Sequence, residues 1–329
     1  MSFAKPRKVE KNYDLISACS WYVPGISGLF AVLAWFIVGM VLASIVVMPL
    51  MATGAMDLPH SMLIMYPLQF LPVFIYVRLQ SSKNSTFDRG YKLDSNNFGA
   101  RGGIFLAVIA ALATAGAAIV LELVNSILPD VSEVLKNTME ALLGGPLWIS
   151  LLCTAVMAPI CEEWMCRGVI LRGLLNYQRK TTDIGSPEGR GMKPALAIMI
   201  SALFFAAIHG NIWQGITAFA IGCLLGYVYY KTGSLKLTIL MHTVNNATSV
   251  LLAHFGGEEV MDAKSLLDII PAWEYGILFV IGLALVCFLV TEVSKIELKQ
   301  PQGNCDVIPN ADDEYNQWKE STKTLTSEQ

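Results

Sequence analysis

Charge is scarce in this sequence. Its 23 lysines and arginines and 26 aspartates and glutamates make up 15% of 329 residues, against 54% that are hydrophobic. A soluble domain of this length needs roughly a quarter of its residues charged to cover its surface. A water-soluble globule is therefore excluded, and most side chains must face lipid or one another. The net charge of -3 is too small to hold a nucleic acid, and none is expected as a partner. An H-E-x-x-H helix is missing, which removes the usual zincin geometry. The seven cysteines form no disulfide framework: Cys153, Cys161, Cys166, Cys223 and Cys287 fall inside apolar runs, where they serve as small hydrophobes. Neither end carries a prenylation or myristoylation motif.

The apolar residues that remain are gathered in blocks of about 17 to 25, the length that crosses a bilayer. Eight candidate spans follow, near 26–52, 61–77, 103–127, 147–172, 194–210, 212–230, 237–254 and 272–292. The expected fold is all-α: a polytopic membrane protein of about eight transmembrane helices, with its active site within the helix bundle. Residues 1–24 read as a cytoplasmic segment carrying Lys5, Arg7, Lys8 and Lys11, followed by an uncleaved first span. Residues 25–294 form the transmembrane domain. Residues 295–329 are polar, slightly acidic and without amphipathic period, as in a disordered cytoplasmic tail.

Loop charge sets the expected orientation. Segment 78–102 carries Arg78, Lys83, Arg89, Lys92 and Arg101, and segment 172–193 carries Arg172, Arg179, Lys180, Arg190 and Lys193, whereas 129–145 and 255–271 are mainly acidic. Basic loops thus alternate with acidic ones, which places both termini in the cytoplasm. Trp148, Trp213 and Trp273 then fall at outer helix ends, and Tyr227, Tyr229 and Tyr230 at an inner end, as interfacial anchors. The sequon at Asn84 lies on the cytoplasmic side and is expected to stay unused. The membrane is the plasma membrane in a bacterium and the endoplasmic reticulum in a eukaryote.

One span breaks the apolar rule. "PICEEWMCRG", residues 159–168, sets two acids and an arginine inside an otherwise apolar run. Each mid-membrane charge costs roughly 2.5–3.5 kcal/mol on insertion scales, so the three need partners or a water-filled cavity. Glu163 and Arg167 are four residues apart and share a helix face, so they can pair. Glu162 lies about 100° around the cylinder and is left without that partner. Pro159 removes a backbone donor just upstream, which frees carbonyls and makes room for water.

Two further polar positions follow on later spans. His209 stands four residues after Phe205, and Asn246 four after His242, so each pair occupies one helix face. Asn245 points about 100° away from Asn246. His60 and His254 sit at helix ends beside loops, where a solvated surface accounts for them. Ala218, Gly222 and Gly226 form a small-residue stripe suited to close helix packing.

The ordered set Glu162-Glu163-x-x-x-Arg167, Phe205-x-x-x-His209 and His242-x-x-x-Asn246, with "GCLLGYVYYKTGSL" before the last, resembles the CAAX prenyl protease and bacteriocin-processing (CPBP, or Abi) family of intramembrane proteases. The resemblance covers about 145–250. It implies a glutamate-dependent peptidase acting on a peptide or protein in or at the bilayer. Glu162 and His209 would activate a water, His242 and Asn246 would stabilise the oxyanion, and Glu163 and Arg167 would hold the site together. A carboxylate in a partly dry pocket suits that role, because it can take a proton from water and pass it to the leaving amine. Neutral amide and imidazole groups can donate where negative charge develops.

Alternatives stay open at this level. No cofactor is required, but Glu162, His209 and His242 could instead bind a divalent metal such as zinc, with water in the open fourth place. A non-catalytic immunity or scaffold protein could keep the same fold, and an ion or proton transporter could use Glu162 as a relay. Depth raises one difficulty. With the termini inside, His242 lies roughly 9 Å from the inner face along its helix and His209 roughly 22 Å, too unequal for parallel full-length helices. The fifth span is therefore expected to start outside the hydrocarbon or to lean strongly.

Overall fold

The computed structural model describes residues 24–83, 93–143, 145–175 and 192–298. Every regular element among them is helical. In chain order these are α1 (Ile26–Ala52), α2 (Leu58–Lys83), α3 (Gly103–Ile127), α4 (Glu133–Leu143), α5 (Leu147–Leu175), α6 (Pro194–Ala207), α7 (Ile212–Thr232), α8 (Leu235–Asp262) and α9 (Ala272–Ser294). The chain is an all-helical polytopic membrane protein. Each of the eight expected spans appears as a helix. Six of them, α1, α2, α3, α5, α7 and α9, are long and apolar enough to cross a bilayer. The sequon at Asn84, the basic residues between 176 and 191, the first 23 residues and those from 299 onward lie outside the described residues.

The two remaining spans depart from the simple count for physical reasons. Helix α6 has 14 residues, about 21 Å at 1.5 Å per residue, short of the ~30 Å hydrocarbon core. Helix α8 carries Thr238, His242, Asn245, Asn246, Thr248 and Ser249, which dilute its apolar character, and it kinks at Gly257 (φ 67°).

Two apolar cores organise the bundle. One joins α1 and α2, through Val32, Phe36, Phe70 and Val73, to Met165, Val169 and Leu171 of α5 and to Ala197 and Phe205 of α6. The other joins α3, α7, α8 and α9 through Leu106, Ala113, Leu225, Met241 and Leu289. Close approach depends on small residues. A Cβ on Gly116 of α3 would lie 2.8 Å from the Gly282 backbone of α9. In α7, Gly222 and Gly226 of the predicted stripe meet Ala202 and Ile198 of α6.

The turn between α7 and α8 is held from a distance. Gly233 ends α7 in the left-handed region (φ 65°), and Ser234 caps α8 through its hydroxyl. Asp94 adds a second cap, its Oδ1 accepting from the Leu235 N–H at 2.9 Å and its Oδ2 pairing with Lys236 Nζ at 2.8 Å. The Ser95 N–H donates to the Gly233 carbonyl at 2.8 Å. Tyr229, expected as an interfacial anchor, is instead 2% exposed. Its hydroxyl is directed to the Leu93 carbonyl at 2.8 Å, because segment 93–97 covers this end of α7. Trp148 and Trp273 are 60% and 68% exposed.

The acidic loop 129–145 contains a helix that hydropathy does not show. Ser132 caps it by accepting from the Leu135 N–H, and Leu135, Met139 and Leu142 recur at helical spacing. Lys136 pairs with Asp262 at 2.5 Å, which ties α4 to the end of α8.

Candidate active site

Helix α5 carries the acids, and its winding decides where they point. Residues 151–157 and 164–171 follow wide π-type turns on either side of 158–163, a departure that is frequent at functional sites. Arg167 Nη1 donates to Glu163 Oε1 at 2.7 Å, with both side chains fully buried. Arg167 Nη2 donates to the Gly222 carbonyl of α7 at 3.0 Å, and its guanidinium lies 4.7 Å above the Phe205 ring. The predicted ion pair is present, and it extends into a clamp across α5, α6 and α7. Gly222 thus contributes a carbonyl as well as close packing.

His242 of α8 reaches the same centre. Its Nδ1 lies 3.1 Å from Glu163 Oε1 and its Nε2 3.8 Å from Glu162 Oε2. A carboxylate paired with arginine only accepts, so Nδ1 carries the proton. Glu162 Oε2 is buried without a hydrogen-bond partner. Glu163 Oε1 thus meets both Arg167 and His242, while Glu163 Oε2 and Arg167 Nε, like Glu162 Oε2, have no partner.

His209 follows directly on α6. Its Nδ1 lies 2.8 Å from the Phe205 carbonyl, which can only accept, so Nδ1 is the donor and Nε2 keeps a lone pair in the neutral ring. The Phe205 ring meets both imidazoles edge-on, with centroids 5.0 Å from His209 and 5.2 Å from His242. One aromatic ring therefore joins the two histidines, and both lie within electrostatic range of Glu162. The two histidines meet at this ring despite their unequal positions along their helices: α6 is short, and α8 begins beside Gly168, where the Leu235 side chain packs, before α5 ends at Leu175.

Asn246 Nδ2 donates to the Thr154 carbonyl of α5 at 2.8 Å, and Asn245 Nδ2 donates to Asn246 Oδ1 at 3.1 Å. The two asparagines are thus bonded to each other although they project in different directions. His60 and His254 lie apart from this set, His60 against Asp57 and His254 against Phe255. Among the described residues, no group of three or more His, Cys, Asp or Glu side chains is arranged to hold a metal ion.

Sequence reasoning missed the Phe205 ring as a hub, the Gly222 and Thr154 carbonyls as acceptors, and Asn245. Phe205 offered a signal, as an aromatic residue one turn before a histidine. The carbonyls offered none.

No curated protein and no solved structure matches the chain. Residues 144–248 match the family model described as type II CAAX prenyl endopeptidase Rce1-like. That stretch, about a third of the chain, contains the whole constellation of Glu162, Glu163, Arg167, His209, His242 and Asn246, and the match is consistent with the CAAX prenyl protease (CPBP) family.

Proposed function

We propose that this chain is an intramembrane endopeptidase that hydrolyses a peptide bond of a membrane-associated or lipidated peptide, using a water activated by Glu162 and His209. The matched family is one of endopeptidases. The observation that carries the reading to these residues is the contrast between two buried acids: Glu163 Oε1 meets both Arg167 and His242, whereas Glu162 Oε2 has no hydrogen-bond partner and faces His242 Nε2 at 3.8 Å; Glu163 Oε2 and Arg167 Nε are also unpartnered. A buried polar group left unpaired is costly, and such groups mark functional sites.

In this mechanism the water oxygen attacks the scissile carbonyl carbon while its proton passes to Glu162, with the free Nε2 of His209 as second acceptor. Negative charge then develops on the carbonyl oxygen. Asn246 donates to it through Nδ2. His242, held through Nδ1 by Glu163, directs Nε2 toward the same side as Glu162. Collapse breaks the C–N bond as Glu162 returns its proton to the leaving amine. Glu163 and Arg167 keep His242 in place.

The loop charges, which are expected to place the termini in the cytoplasm, suit a lipidated peptide entering laterally from that side. The test uses purified full-length protein in detergent with a farnesylated peptide and its unprenylated counterpart, the products identified by mass spectrometry. Cleavage of the farnesylated peptide supports the proposal. No cleavage of either peptide, together with full biological effect of a Glu162→Ala chain, supports a scaffold. Ion flux in proteoliposomes without cleavage supports a transporter.

A further inference from the structure

We propose that Pro159 and Asn245 are positioning residues that fix the Asn246 amide in one orientation; the role given to that amide rests on the peptidase reading above. The argument begins in the backbone. The Ala158 N–H donates to the Cys153 carbonyl, five residues back. In the same register the next donor is the backbone nitrogen of residue 159 and the next acceptor is the Thr154 carbonyl. Residue 159 is proline and has no N–H. A membrane helix has no bulk water to satisfy such a carbonyl, and Asn246 Nδ2 takes the place of the missing donor at 2.8 Å.

The other end of the amide is held as well, since Asn246 Oδ1 accepts from Asn245 Nδ2 at 3.1 Å. An asparagine amide has one acceptor oxygen and two N–H donors. Turning it over would set Oδ1 against the Thr154 carbonyl and Nδ2 against the Asn245 amide nitrogen, two contacts of like with like. The pair of bonds therefore selects one orientation and uses only one N–H. The second N–H is the donor available to an oxyanion, and the bond accepted by Oδ1 polarises the amide and strengthens it. Proline at 159 thus has a consequence beyond loosening α5: it reserves a carbonyl for the side chain of another helix.

The experiment uses the full-length chain in detergent, with a fluorogenic farnesylated peptide as probe. Pro159→Ala returns an N–H that competes with Asn246 for Thr154. It is expected to raise the thermal midpoint while lowering kcat about tenfold and leaving KM within about twofold, a fraction of the ~10²–10³-fold loss that follows removal of an oxyanion donor. Asn245→Leu, similar in size but without a donor, is expected to lower kcat comparably and to cause no further loss in an Asn246→Ala background. If the wild type cleaves and neither variant lowers kcat, or if Asn245→Leu costs the same factor in both backgrounds, the inference is overturned. If the wild type does not cleave the probe, the peptidase reading fails and thermal melting alone decides the positioning. Asn246→Ala should lower the midpoint in the native chain and leave it unchanged in the Pro159→Ala chain. Equal shifts in both chains overturn the link between Pro159 and Asn246.

Discussion

The Nε2 atom of His242 stands 3.8 Å from Oε2 of Glu162. That separation is too long for a direct hydrogen bond, and it leaves a reacting atom within reach of both groups. The same imidazole is pinned at its other nitrogen by Glu163, 3.1 Å away. Two acids adjacent in sequence thus have different surroundings, because helical winding separates them by about 100°; in the proposed mechanism one holds His242 and the other activates water.

Arg167 is the residue on which the clamp depends. It is fully buried with Glu163, so Arg167→Ala would strand a carboxylate and should destabilise the protein by about 3–5 kcal/mol. Arg167→Lys should not rescue it. A single ammonium cannot pair with Glu163, bond the Gly222 carbonyl and lie over Phe205 at once. Denaturant unfolding in mild detergent measures both effects, and wild-type stability for Arg167→Lys would contradict the clamp.

Gly222 tests the hub on which both histidines rest. A Cβ there would sit 3.1 Å from Ala202 Cβ and 3.2 Å from Phe205 Cδ1, so Gly222→Val must push the Phe205 ring aside. The expected outcome is overpacking of about 1–3 kcal/mol together with loss of cleavage, since each imidazole loses its shared support. Melting and initial rates on the same preparation would show whether the two losses occur together.

The latch on α8 gives a third outcome. Gly233 has φ +65°, and a Cβ added there would lie 2.2 Å from Ser95 Oγ. Gly233→Ala should cost about 1–2 kcal/mol from left-handed strain alone, with the displaced Ser95 adding to it. Ser95→Gly in the same chain should recover the second part and leave the first, as read from thermal midpoints.

Much of this arrangement was legible in the sequence, and the boundary is physical. Span positions follow from hydropathy, and the Glu163–Arg167 pair follows from helical spacing, because both depend on residues near one another in the chain. The Asn246 bond to Thr154, the Asp94 cap on α8 and the Tyr229 bond to Leu93 join residues 92 to 141 positions apart, and no local pattern encodes such pairings. Helix α4 is the intermediate case: its cap and period were readable, but a rule tuned to long apolar runs passes over 11 amphipathic residues.

Metal dependence separates the two chemistries considered for these side chains. Because the described donors form no ligand cluster, strong chelators such as EDTA or 1,10-phenanthroline should leave the cleavage rate within about twofold of the untreated protein, where a catalytic zinc would supply the nucleophile. Loss of activity restored by added zinc would assign the chemistry to a metal.

The most direct measurement is the initial rate of farnesylated-peptide cleavage by Glu162→Gln in proteoliposomes, with thermal melting on the same sample. The exchange keeps the side chain's size and removes its capacity as a base, so the rate should fall by about 10²–10⁴-fold while the melting midpoint stays near that of the native chain. Cleavage by Glu162→Gln at the native rate would contradict the assignment of Glu162 as the group that activates water.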